Sequence, residues 1–299
     1  MDNQTFVTNV FENWSPQIPD GSFPAYDERT GLPVLQVNTL AAFIQAMGYL
    51  KFKLRDECNV VYRGQTKLYF DKKDASGLYY FRPTALREVQ KPSAMGNAIK
   101  ALQKQVAIVR RANPMFQELT TYPDKVIEAL LQQYGYGTTW FDAVDNIWVA
   151  LWFACHRSDY TVKIDTDGGS RSFIHMVRRI PRDEDDSERF AYIILLKAKN
   201  GGDSELVDLR CEIPSQFIRP HIQHGLLVRT KSRSNPNMFS LIKGIIRIRL
   251  EKALEWLGTG RILLPEMMMP PPNYDSGFKQ LLESEHKMGE DKILFPIYC

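Results

Sequence analysis

The chain has 299 residues, a formal net charge of +3 and a hydrophobic fraction of 44%, enough apolar material for one elaborated domain with a real core. The charge is too small to argue for nucleic acid by itself, and no stretch reaches the roughly 18 uncharged apolar residues that a membrane helix needs. Met1 to Pro19 is polar and acidic and lacks the basic start and apolar core of a signal peptide, so a cytoplasmic protein without a membrane partner is expected.

Residues 1–36, rich in Pro, Asp, Asn and Gly, read as an irregular leader. Residues 37–50 read as a helix capped by Asn38 or Thr39, with Leu40, Phe43, Ile44 and Met47 on one face. A short β run, Cys58 to Tyr62, stops at Arg63-Gly64. A helical stretch around Ala98–Arg111 follows, then a stronger helix from Pro123 to about Gln133, with Val126, Ile127, Leu130 and Leu131 as its apolar face. Ile147 to His156 is nearly all apolar and reads as a buried helix.

After this the chain turns to β, with strands expected at 158–164, 171–178, 190–198, 225–230 and 245–250. Asp165 to Gly169 reads as a hairpin turn and Asp183 to Glu188 as an acidic loop. A helix at Lys252–Leu257, a proline-rich turn at Pro270–Pro272 and one more helix before an irregular end complete the order. Helices first and strands later argue for an α+β fold.

Cys58, Cys155, Cys211 and Cys299 form no CxxC pair and no zinc spacing, and read as reduced thiols. Arg229, Lys231 and Arg233 lie close together, as do Lys243, Arg247 and Arg249; solvated faces are the simpler reading, a local basic surface the alternative. Phosphate-loop, dinucleotide-fold, HExxH and GxSxG signatures are absent, and no acidic run has full calcium-loop spacing, so no metal is expected.

Three segments carry more information together. They are Val61-Tyr62-Arg63-Gly64-Gln65, then Gln132 to Asp142 running on to Val149–Ala154, and Arg219 to Leu227. In order and spacing they resemble the FRG domain, a family named for a Phe-Arg-Gly motif near its start. Its pattern continues with Gln-His-Tyr-Gly-x-Pro-Thr-Arg-Leu-Leu-Asp-Trp-Thr, then Ala-Leu-x-Phe-Ala, and later a Gln-x-Gly. The first motif is intact here, with Tyr62 for Phe. The second keeps Gln132, Tyr134, Gly135, Thr138, Asp142, Ala150, Leu151, Phe153 and Ala154, and departs at Gln133, Gly137, Thr139 and Ala143. The third keeps Arg219, Gln223 and Gly225, and Leu263-Leu264-Pro265 matches a late motif. The resemblance covers residues 37–265 and leaves 266–299 as a C-terminal extension.

The same order is similar, more distantly, to ADP-ribosyltransferases of the Arg-Ser-Glu type, which implies an ADP-ribosyltransferase-like fold with a split mixed or antiparallel β core. The implied chemistry consumes NAD as substrate and passes ADP-ribose to a macromolecule, protein or RNA/DNA. The company such domains keep adds a toxin or anti-phage role and a possible antitoxin. Two alternatives stand beside it: NAD hydrolysis, and a non-catalytic module that binds a nucleotide or partner.

Cleaving the nicotinamide–ribose bond passes through an oxocarbenium-like state, so a site must grip the dinucleotide and stabilise positive charge. Arg63 suits the grip, because a guanidinium forks two hydrogen bonds to phosphate or ribose and stays charged. The structural alternative is a pair with Asp142 or Glu128. Gly64 admits close approach of a ligand to the backbone. Tyr62, Tyr134 and Tyr136 are candidates to stack on nicotinamide, or are core aromatics. Thr138 and Thr139 are candidates to bond Arg63 or ribose, or simply suit a strand. Asp142 is expected to cap the apolar helix or to orient Arg63. Gln223 stands where such enzymes hold a ribose hydroxyl, and an amide cannot act as a base. On an alternating strand His221 shares the face of Gln223 and His224 does not, which makes His221 the candidate accessory base. The family's glutamate is not evident.

Overall fold

The computed structural model describes residues 21–57, 59–69, 81–86, 92–114, 116, 123–164, 170–181, 189–199, 202–232, 237–258, 263–287 and 297–298. Among them are nine α-helices and a mixed sheet of eight strands, in an α+β arrangement. The sheet order is β1(Ser22–Tyr26), β2(Pro33–Val37), β10(Ile242–Arg249), β7(Phe190–Ala198), β3(Asn59–Gln65), β4(Phe141–Val144), β9(Gly225–Thr230) and β8(Ser204–Asp208). A second sheet joins β5(His156–Ile164), β6(Ser170–Arg178) and β11(Ile297–Tyr298). Neighbours in the large sheet are antiparallel except β2 and β10, which run parallel.

Central strand β7 shows why a near-continuous apolar run belongs there. Ala191, Ile193 and Leu195 face one core, and Tyr192, Ile194 and Leu196 face another, so both faces are covered. The first core is built with helices α1(Leu40–Leu54), α4(Ile147–Cys155) and α7(Leu250–Leu257). A third cluster joins α2(Pro92–Ala112), α3(Asp124–Gln133) and α9(Ser276–Lys287) to Trp140 and Leu227. Phe278 and Leu281 belong to it, so chain beyond residue 265 contributes to the core.

Several sequence expectations change here. The stretch read as an irregular leader contributes β1 and β2, where Asp27 accepts the Tyr192 hydroxyl at 2.7 Å. Its Pro and Gly punctuate a hairpin rather than preclude strands. Thr39 caps α1 by accepting from the Ala42 amide at 3.2 Å. Leu40 and Ile44, expected on the apolar face, are exposed, because Ala42, Phe43, Ala46, Met47 and Leu50 form it. Strands β4 and β8 were not foreseen, both being too short for alternation to register. Neither basic group is a solvated face throughout. Arg247 is buried, donating to Gln36 Oε1 at 2.8 Å and to the Tyr26 carbonyl, and Arg229 lies among carboxylates. The acidic runs at 165–167 and 183–186 lie outside the described residues, as do Cys58 and Cys299. No helix of the described residues is long and apolar enough to cross a membrane.

Candidate functional site

Arg63 lies within β3 rather than at its end. On one side β3 pairs with β7 along its whole length. On the other it meets β4 only where Tyr62 faces Val144, and beyond that point the two strands part. The Arg63 guanidinium spans the opening: its Nη1 donates to the Asp142 carbonyl at 2.6 Å and lies 3.7 Å from Asp142 Oδ2. A side chain thus takes the place of a ladder bond. The guanidinium also sits 5.0 Å from the Phe141 ring centroid.

A cleft of about 370 Å³ opens at this parting, within the range of small-ligand sites. Tyr62, Arg63, Gly64, Asp142 and Gln223 all line it, so five candidate residues from three segments converge. Gln132, Phe153, Ser158 and Met269 also line it, and the sequence had not singled these out as site residues. Gln132 and Phe153 lie inside the quoted motifs, which was an available signal. Ser158 and Met269 come from segments without one.

Gly64 has a different reason from the one expected. A Cβ there would overlap the Ala150 carbonyl and come within 2.9 Å of the Ala154 amide nitrogen. The glycine lets α4 lie directly on β3, and the small residues Ala150 and Ala154 complete that contact.

Asp142 lies on β4 and does not cap α4. The cap is Asn146, whose Oδ1 accepts from the amides of Trp148 at 2.9 Å and Val149 at 3.3 Å. The Asp142 carboxylate instead accepts from the side-chain amides of Gln132 at 2.9 Å and Gln133 at 3.2 Å. Gln132 is in turn fixed through its Oε1, which takes the Thr138 hydroxyl at 2.7 Å. Burial pushes the Asp142 carboxyl upward, against the pull of Arg63 and the Gln132 amide. The result is a carboxylate held by amides beside a guanidinium and facing an open cleft.

The remaining candidates lie elsewhere. Tyr134 is wholly buried, packs tilted against Phe278 with ring centroids 4.8 Å apart and donates its hydroxyl to Asp275 at 2.6 Å, so it is a core aromatic. Tyr136 is part-buried and packs against that same core. Thr138 is buried and acts on the site through Gln132. Thr139 points the other way, donating to Glu128 Oε1 at 2.5 Å and accepting from Arg229 at 3.1 Å.

Gln223 and His221 are not on a strand. Residues Ile218–Ile222 form a short helix, α6, and Gln223 is its C-cap, so the alternation argument that favoured His221 does not apply. Gln223 is buried, its amide donating to the Met268 carbonyl and 3.3 Å from Met269 Sδ. His224, at φ +52°, has a carboxylate neighbour, its Nδ1 lying 3.6 Å from Asp145 Oδ1. Arg210 joins them, donating to Asp145 at 3.0 Å. Asp145 adds to the burial that raises the Tyr62 phenol, which stays protonated. Among the described residues no cluster of His, Cys, Asp and Glu could hold a metal ion. Burial pushes the Cys155 thiol up to about 12, leaving it an inert packing group.

No protein-family model, no curated protein and no solved structure matches the chain.

Proposed function

We propose that the Arg63 cleft cleaves NAD and transfers ADP-ribose to a macromolecular acceptor. The observation that carries this reading is the Arg63–Asp142 couple across the parting of β3 and β4, with Tyr62 and Phe153 on the cleft wall. The order of motifs that resembles the FRG domain and the Arg-Ser-Glu transferases supports it.

In the proposed reaction the bond between nicotinamide nitrogen and ribose C1′ breaks, and its electron pair leaves with nicotinamide. The acceptor's lone pair then bonds C1′, and the acceptor proton passes to a base. Arg63 holds phosphate or ribose oxygens, and an aromatic wall packs the departing ring. The Asp142 carboxylate stands where it can balance the oxocarbenium charge, a task the sequence left without a carboxylate. Amide bonds from Gln132 and Gln133 keep that carboxylate oriented without neutralising it.

The test is incubation of the full chain with NAD labelled in the adenylate, together with separate pools of protein, RNA and DNA. Nicotinamide release with label on one pool supports transfer and names the acceptor. Release with free ADP-ribose alone would replace transfer by hydrolysis. Binding of NAD without release would leave a sensing module. Neither binding nor release would remove NAD from the reading altogether.

A further inference from the structure

A larger cleft, of about 650 Å³, lies between α2, α3 and the end of β9 and shares no lining residue with the Arg63 cleft. One wall is apolar, made by Leu102 and Val106 of α2 and by Met238. The other is charged, with Asp124, Glu128 and Glu205 set against Lys125, Arg229 and Lys231. Arg229 is taken by Glu128 at 3.1 Å and Glu205 at 2.5 Å, and Asp124 by Arg110 at 2.6 Å. That leaves Lys125 and Lys231, both lining the cleft, with no ion-pair partner among the described residues. Between Arg229 and Lys231 in sequence, Thr230 also lines the cleft, and its hydroxyl is buried with no hydrogen-bond partner among the described residues. An unmet buried hydroxyl is a net cost that valine would avoid at the same volume.

We infer that this cleft is a binding site for a small organic anion. Its apolar or aromatic body lies on the Leu102, Val106 and Met238 wall. Its phosphate-, sulfonate- or carboxylate-type head accepts from Thr230 Oγ1 and meets Lys125 and Lys231. The volume suits a small molecule rather than a strand or helix of a partner. Arg229, locked on the Trp140 ring at 4.1 Å, supplies a rigid floor rather than a free charge. The inference is independent of the NAD reading.

Titration of the full chain with 8-anilinonaphthalene-1-sulfonate, an aromatic sulfonate that fluoresces when desolvated, tests it. One saturable site is expected. The Lys125→Ala/Lys231→Ala double variant should bind about tenfold more weakly, the loss of roughly 1.4 kcal/mol of interaction. Thr230→Val should also weaken binding while its unfolding midpoint equals or exceeds that of the parent, a pairing that a merely structural threonine would not give. Unchanged affinity in both variants would overturn the inference. So would loss of binding in Arg63→Ala alone, which would place the probe in the other cleft, or no saturable binding at all.

Discussion

Arg63 and Arg229 are built alike and spent differently. Each rises from a strand of the same sheet, each lies over an aromatic ring, at 5.0 Å for Phe141 and 4.1 Å for Trp140, and each meets a carboxylate. Arg229 meets two carboxylates within 3.1 Å and the Thr139 oxygen as well, so its charge is consumed. Arg63 donates to the Asp142 carbonyl at 2.6 Å and lies 3.7 Å from that residue's carboxylate, which two side-chain amides share. Arg229 behaves as a strut, while Arg63 keeps charge directed at a cleft. What each guanidinium faces, two carboxylates or a cleft, separates the two.

The sharpest way to break this comparison is to delete each guanidinium. Arg63→Ala should lower nicotinamide release by about a thousandfold, as removal of a charge-stabilising donor does, with a smaller fall in unfolding midpoint than deletion of Arg229. Arg229→Ala should do the reverse. It strands Glu128 and Glu205, so about 3 kcal/mol of stability should be lost in denaturant titration, with turnover per folded molecule retained. Equal stability losses in the two variants would show that both arginines are struts.

Asp142→Asn sharpens the chemical half. It should lower turnover about a hundredfold while keeping the shape of the site. It should also change the pH dependence of folding. Because the folded-state pKa is raised, the wild-type carboxyl contributes stability below its unfolded value of about 3.9, and that contribution is lost as pH rises through the folded value. The asparagine variant should therefore gain on the parent as pH rises through that window in thermal melts. A constant difference across pH would place Asp142 in a solvent-like setting.

Thr138→Val gives the smallest effect. It removes the hydroxyl that fixes Gln132 and accepts from the Trp140 amide, so about 1 kcal/mol should be lost along with a several-fold fall in turnover. Thr139→Val, on the Arg229 side, should cost stability without touching turnover. If the two threonines gave the same outcome, Gln132 would not be the route from Thr138 to the site.

Local signals carried much of the fold. The apolar run of β7, the 3.6-residue stripe of α3 and the buried helix α4 were legible because each is long enough for its period or hydropathy to show. The clustering of Arg63, Asp142 and Gln223 followed from motif order, although not their geometry. Hydrogen-bonding residues that fold short segments left no period to read, which is why β4, β8 and α6 went unseen and His221 was preferred to His224.

The sequence alone determined that this is an α+β protein and that Tyr62-Arg63-Gly64-Gln65 and Asp142 belong to one neighbourhood. Only the tertiary structure decided what each residue does there. Gly64 admits a helix, Tyr134 fills the core, and Asp142 supplies a carboxylate instead of a cap. The physical reason is that these roles depend on which groups arrive from distant segments. A partner such as Ala150, Asp275 or Gln132 meets or saturates a side chain only once the sheet and its helices have closed around it.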